Sequence, residues 1–181
     1  VGHSAGKNVT TGVYNTLIGG QAGENLTTGG SNVAVGLNAL RAEDTGGKNT
    51  AIGYEALQDL DAGGDAYNTA VGYTAGANLT TGIENTIVGG LAGDNLSTGA
   101  RNTALGYQAL SSEDTGGRNV AVGYQALLNQ DYNGYGYNIA IGYSAGKEIT
   151  TGSSNVIVGA LAGDAITDGT VNTLIGYQAG T

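Results

Sequence analysis

The chain has no Pro, Cys, Met, Trp or Phe, and each absence removes something. Without Cys there is no disulfide framework and no thiolate metal site. Without Phe, Met or Trp, a core has to be filled by Ile, Val, Leu and Ala, which suits many thin uniform layers better than one rounded interior. Basic residues are scarce: 6 Lys and Arg stand against 15 Asp and Glu, for a net charge of -9. That balance argues against phosphate-backbone binding and anionic membranes, so no nucleic-acid partner is expected. Apolar runs extend over only a few residues, far short of the roughly 18 needed to cross a bilayer, so membrane insertion is not expected either. No secretory leader is visible and the first residue is Val1, so the chain reads as a fragment of something longer.

What the chain does have is glycine, 35 of 181 residues, and a repeat. Each unit opens with an Asn followed by three apolar or Thr residues and a Gly: Asn15, Asn32, Asn49, Asn68, Asn85, Asn102, Asn119, Asn138, Asn155 and Asn172. Most successive separations are 17 residues; Asn49 to Asn68 and Asn119 to Asn138 are 19. A 70-residue super-repeat is superimposed, dividing the chain into 1–70, 71–140 and a partial 141–181. The unit is too short for the helical repeats, which run to roughly 33 residues or more, and its Gly and Asn content opposes helix. One turn of a parallel β-solenoid fits. The expected fold is therefore all-β: a single parallel β-solenoid, or β-roll, of 17- and 19-residue coils over residues 1–181.

Counting Asn as the first position, the fourth is always Ile, Val or Leu, the fifth Gly and the eighth Ala. Gly marks tight corners and Ala a narrow interior. Units with Gly ninth (Gly23, Gly76, Gly93, Gly146, Gly163) carry an apolar residue three places on, whereas Leu40 and Leu110 in that place are followed by Glu43 and Glu113. One apolar side chain fills the corner from either of two places, as a constant core volume requires. Adjacent strand residues that point to opposite faces are both large in Asn85-Thr-Ile-Val-Gly, Asn155-Val-Ile-Val-Gly and Asn172-Thr-Leu-Ile-Gly. Elsewhere the residue assigned to the outer face is usually Ala, as in Ala34 or Ala121. A strand apolar on both faces needs a partner outside its own lumen, so a homotrimer is expected rather than a monomer with a mildly apolar flank.

The runs Asn32-Val-Ala-Val-Gly, Asn49-Thr-Ala-Ile-Gly and Asn119-Val-Ala-Val-Gly resemble the S-V-A-I-G signature of YadA-like head repeats in trimeric autotransporter adhesins. The family's coils are typically shorter than these. The I-G-Y-E-A-L run from Ile52 is also similar to segments of bacteriophage tail fibres and of predatory-bacterial surface fibres. The resemblance implies a left-handed β-roll that trimerises about a common axis. It also implies an extracellular place, on a cell surface or phage virion, where the fibre presents a tip to a host-surface glycan or protein outside this segment.

Chemistry is sparse. The run from Val35 fits a hexapeptide acyltransferase repeat only once per unit, and the single His3 occupies a slot that is elsewhere Tyr54, Tyr73 or Tyr107. No enzyme, cofactor or catalytic residue is therefore expected. Asp59, Asp61 and Asp65 could offer oxygen ligands to Ca²⁺, but the equivalent loop keeps only Asp131, so no metal site is expected. Tyr recurs after the corner Gly, either as a structural ladder or as rings whose faces take sugars. Tyr132, Tyr135 and Tyr137 in the second long loop, with Tyr67 in the first, are the candidate binding residues. The unit-opening Asn column is expected to form a side-chain amide ladder. The Thr pairs Thr10-Thr11, Thr27-Thr28, Thr80-Thr81 and Thr150-Thr151 raise an ice-binding alternative to the adhesin fibre; a direct glycan-binding surface is the other.

Overall fold

The computed structural model describes residues 1–180. Ten three-residue strands follow one another: β1 (Thr16–Ile18), β2 (Val33–Val35), β3 (Thr50–Ile52), β4 (Thr69–Val71), β5 (Thr86–Val88), β6 (Thr103–Leu105), β7 (Val120–Val122), β8 (Ile139–Ile141), β9 (Val156–Val158) and β10 (Thr173–Ile175). They form one parallel sheet in sequence order. Among the described residues there is no helix. Each strand lies on its predecessor in strict register: Ala34 pairs with Ala51, Ala51 with Ala70 and Ala70 with Ile87. The 19-residue coils do not shift that register, because the extra residues bulge out between Leu60 and Asn68 and between Gln130 and Asn138. The chain is thus an all-β parallel solenoid with nine coil-to-coil steps between its ten strands.

The strands are short because the corners are obligatory. The fifth-position glycines Gly2 to Gly159 hold φ between 133° and 149°, and a Cβ on any of them would lie 2.1 to 2.5 Å from the carbonyl oxygen of the glycine in the next coil. No L side chain fits there. Two further corners per coil use left-handed backbone at non-glycine residues, such as Lys48 and Glu55 around β3.

The lumen holds the eighth-position alanines and, at the corners, Leu26, Leu40, Leu57, Leu60, Leu79, Leu96, Leu110, Leu127 and Ile149, all fully buried. The third position of the unit, the middle residue of each strand, also turns inward: Ala34, Ala51, Ala70, Ile87, Ala104, Ala121, Ala140 and Ile157 are 0% exposed. This corrects the sequence assignment, which placed Ala34 and Ala121 on the outer face. The inner layer is narrow, so alanine belongs inside, and the larger fourth-position residues face out. Ile18, Ile52, Leu105 and Ile141 are 47%, 38%, 45% and 40% exposed.

The corner exchange between Leu and Gly is looser than one side chain per corner: Leu40 is buried together with Glu43, and Leu57 together with Leu60. Where Gly76 leaves room, Ile87 of the following coil and Leu57 of the preceding one reach into it, 2.9 and 3.1 Å from where its Cβ would stand. Constant volume is kept across neighbouring coils and not only within one.

Candidate functional site: the outer face of the sheet

Along each strand and its flanks, alternate residues face out, from the one before Asn to the sixth position. Four columns therefore run up the stack: the residue before each Asn, the second position, the fourth, and the sixth just past the corner Gly. The second position is Thr, Val or Ile in every coil, and the fourth is Ile, Val or Leu. None of the 21 charged residues lies in the second, fourth or sixth column. At roughly 3.3 Å per residue and 4.8 Å per strand, the face is at most roughly 20 Å wide and about 45 Å tall. The charge-free part, from the second column to the sixth, is roughly 13 Å wide over that height, at the upper end of the patches an ordinary monomer exposes.

The sixth column holds the tyrosines. Tyr54 stacks on Tyr73 with ring centroids 5.2 Å apart, and Tyr107, Tyr124 and Tyr143 continue at 5.7 and 5.1 Å. Interplanar angles of 6° to 15° turn the ring faces toward one another. The stack consequently shows the solvent rims and hydroxyls rather than the faces a sugar would lie on. Gly20, Leu37, Gly90 and Ala160 interrupt the column, and His3 stands exposed at its start.

The opposite flank, before each Asn, carries Lys48, Glu84, Arg101 and Arg118. Here the long loops are tied down. Lys48 donates to the Tyr67 hydroxyl at 2.8 Å and pairs with Asp65 at 2.8 Å. Arg118 lies 4.0 Å over the Tyr135 ring and donates to the Tyr137 hydroxyl at 2.5 Å. Tyr135 also bridges back to Gly117, while Tyr132 lies half-buried beneath Gly134. Tyr67, Tyr135 and Tyr137 are half exposed and gathered on this flank, each held by a cation that the sequence reading had not paired with them. Asp65, once a candidate cation ligand, is engaged by Lys48. Among the described residues no cluster of three or more acidic or histidine side chains is placed to hold a metal.

The asparagines form the ladder in a specific way. The Asn15 Oδ1 accepts from the Asn32 backbone N–H at 2.9 Å, and the same bond recurs through nine successive steps to Asn172. In the 17-residue coils the Nδ2 donates to the Gly carbonyl fourteen residues on, as from Asn85 to Gly99 at 2.9 Å. The long coils lose that acceptor. Asn49 turns to Gly47, and the Asn119 Nδ2 has no partner while Gln130 donates to its Oδ1.

Two carboxylates escaped the sequence reading. Glu43 and Glu113 are fully buried in the corner column otherwise filled by Leu26, Leu60, Leu79 and Leu96. Each accepts one N–H at its own corner, from Gly46 at 2.7 Å and from Gly116 at 2.8 Å. Burial pushes both carboxyls up, Glu113 to about 7. Their signal was present in the Leu-to-Glu exchange, which shows that the glutamate takes a core position.

The first hydroxyl of each Thr pair is used internally: Thr10, Thr80 and Thr150 donate to the next coil's carbonyl, and Thr27 reaches Asp44. The second column is more open, but Ala62, Tyr132 and Asp168 interrupt it and the Thr115 hydroxyl donates to Asn133. Comparison with family models, curated proteins and solved structures finds no match for this chain.

Proposed function

We propose that this chain is a structural segment of an extracellular fibre, on a cell or virion surface, in which three copies wind their sheets around a common axis as left-handed rolls and carry a binding tip. The observation that carries the reading is the middle of the outer face: in ten coils the second and fourth columns hold only apolar and Thr side chains, partly exposed and free of charge. Three faces at most roughly 20 Å wide, set edge to edge, leave each backbone roughly 6 Å from the axis, a gap that Val, Ile and Leu side chains fill. Four would leave a hole. Each copy then contributes close to the roughly 800 Å² of a standard stable interface. The sheet supplies stiffness, because every coil hydrogen-bonds the one before and no coil stands alone.

Light scattering tests this. The expected mass is three times the 17.9 kDa of the chain, and Val88→Lys, which sets an ammonium on the axis, is expected to leave a folded monomer. A wild-type chain that stays monomeric at micromolar concentration overturns the reading. Direct glycan binding finds less support, since the stacked tyrosines turn their faces inward on one another. Ice binding finds less still, with half of its hydroxyl array used within the stack.

A further inference from the structure

The outer face has unlike flanks, and from them we infer how the copies meet: they lie parallel and level, each setting its tyrosine flank against the basic flank of the next copy. This rests on the self-association reading above and adds the orientation, the register and the residues in contact.

Three cations stand two residues before a strand on one flank: Lys48 before β3, Arg101 before β6 and Arg118 before β7. Two residues after those same three strands, past the corner glycine on the other flank, stand Tyr54, Tyr107 and Tyr124. The only acidic residue of the basic flank, Glu84, precedes β5, and the residue past the corner of that strand is Gly90. Copies related by rotation about the stack axis sit at equal height, so the residue before a strand meets the residue after the same strand in the neighbour. Every cation then meets a tyrosine, and the lone carboxylate meets a glycine. An antiparallel pair would instead set basic flank against basic flank.

The chain already displays this chemistry internally, where Lys48 and Arg118 both donate to tyrosine hydroxyls. Donors remain for a second partner. Arg101 uses only its Nε on Glu84, at 2.6 Å, which leaves both terminal nitrogens of the guanidinium for the Tyr107 hydroxyl across the junction.

Because the chain has no cysteine, engineered thiols read the geometry directly. Ser154 and Ala160 flank β9 at the same height and are small, so Ser154→Cys and Ala160→Cys disturb little. Co-expressed and oxidised, the two variants are expected to give a mixed disulfide dimer, while each alone gives none. Cross-linking within either single-variant preparation, or no mixed product from an assembly of trimer mass, overturns the flank pairing and leaves self-association standing. A monomeric mass overturns both. Arg101→Glu is expected to weaken assembly about tenfold, with Glu84→Ala close to neutral; equal effects of the two also count against the pairing.

Discussion

At the scale of single residues, the fold rests on side chains that do one thing only they can do. The column asparagine accepts from the next coil's backbone and donates to a corner carbonyl, so it serves two otherwise unpaired backbone groups. Asn85→Ala removes both services inside a dry corner and is expected to cost about 2–4 kcal/mol, read by chemical denaturation. Leu40, Leu57, Leu110 and Leu127 hold φ between 49° and 55° where other coils have glycine. The left-handed conformation costs about 1–2 kcal/mol, and burying the side chain returns about 1.5–3, so the exchange is nearly neutral.

Glu113 gives the pH dependence. Its carboxyl keeps the proton up to about 7 in the fold against an ordinary value of 4.5, so the folded state binds the extra proton between those limits. The stabilisation is therefore complete below pH 4.5 and disappears as the pH rises through about 7. Melting temperature is expected to fall by several degrees from pH 5 to pH 8. Glu113→Gln, a residue the same column accepts at Gln130, removes part of that slope and stabilises at pH 8; an unchanged slope in the variant would contradict it.

At the scale of the coil, the unit of design is a pair of neighbours. Ile87 fills the space left by Gly76 below it and also approaches Gly93 of its own coil, so it serves two layers. Ile87→Ala is expected to destabilise by about 3–5 kcal/mol, the upper range for a core truncation. Ala70→Ile, an addition to an already filled layer, is expected to destabilise as well. Calorimetry distinguishes this from a self-contained coil, in which the truncation would cost nearer 2. The Leu and Glu exchange was legible in the sequence because it occurs within one unit. The sharing between Leu57, Gly76 and Ile87 was not, because it crosses units whose vertical order only the register fixes.

At the scale of the whole molecule, charge and apolar surface are segregated. The net charge of -9 lies on the loops and one flank, and the outer face has none in three of its four columns. In the trimer proposed above, three such chains concentrate like charge, so assembly is expected to strengthen from low to physiological ionic strength as repulsion is screened. Sedimentation at two salt concentrations checks the direction. Association held mainly by ion pairs between copies would weaken instead.

The sequence by itself determined the parallel stack, the coil lengths and the corners, because glycine at a fixed place and asparagine at another are demanded by backbone geometry that repeats with the chain. It also showed that both faces of the strand are apolar. Which residue faces which way was decided only in three dimensions. Alternation allows either assignment, and the narrowness of the lumen sends Ala34 and Ala121 in and Val35 and Val122 out. The same holds for Glu43 and Glu113, and for the cations that fasten Tyr67, Tyr135 and Tyr137. Their partners lie one coil away, 17 to 19 residues along the chain, where only the stacked structure brings them together.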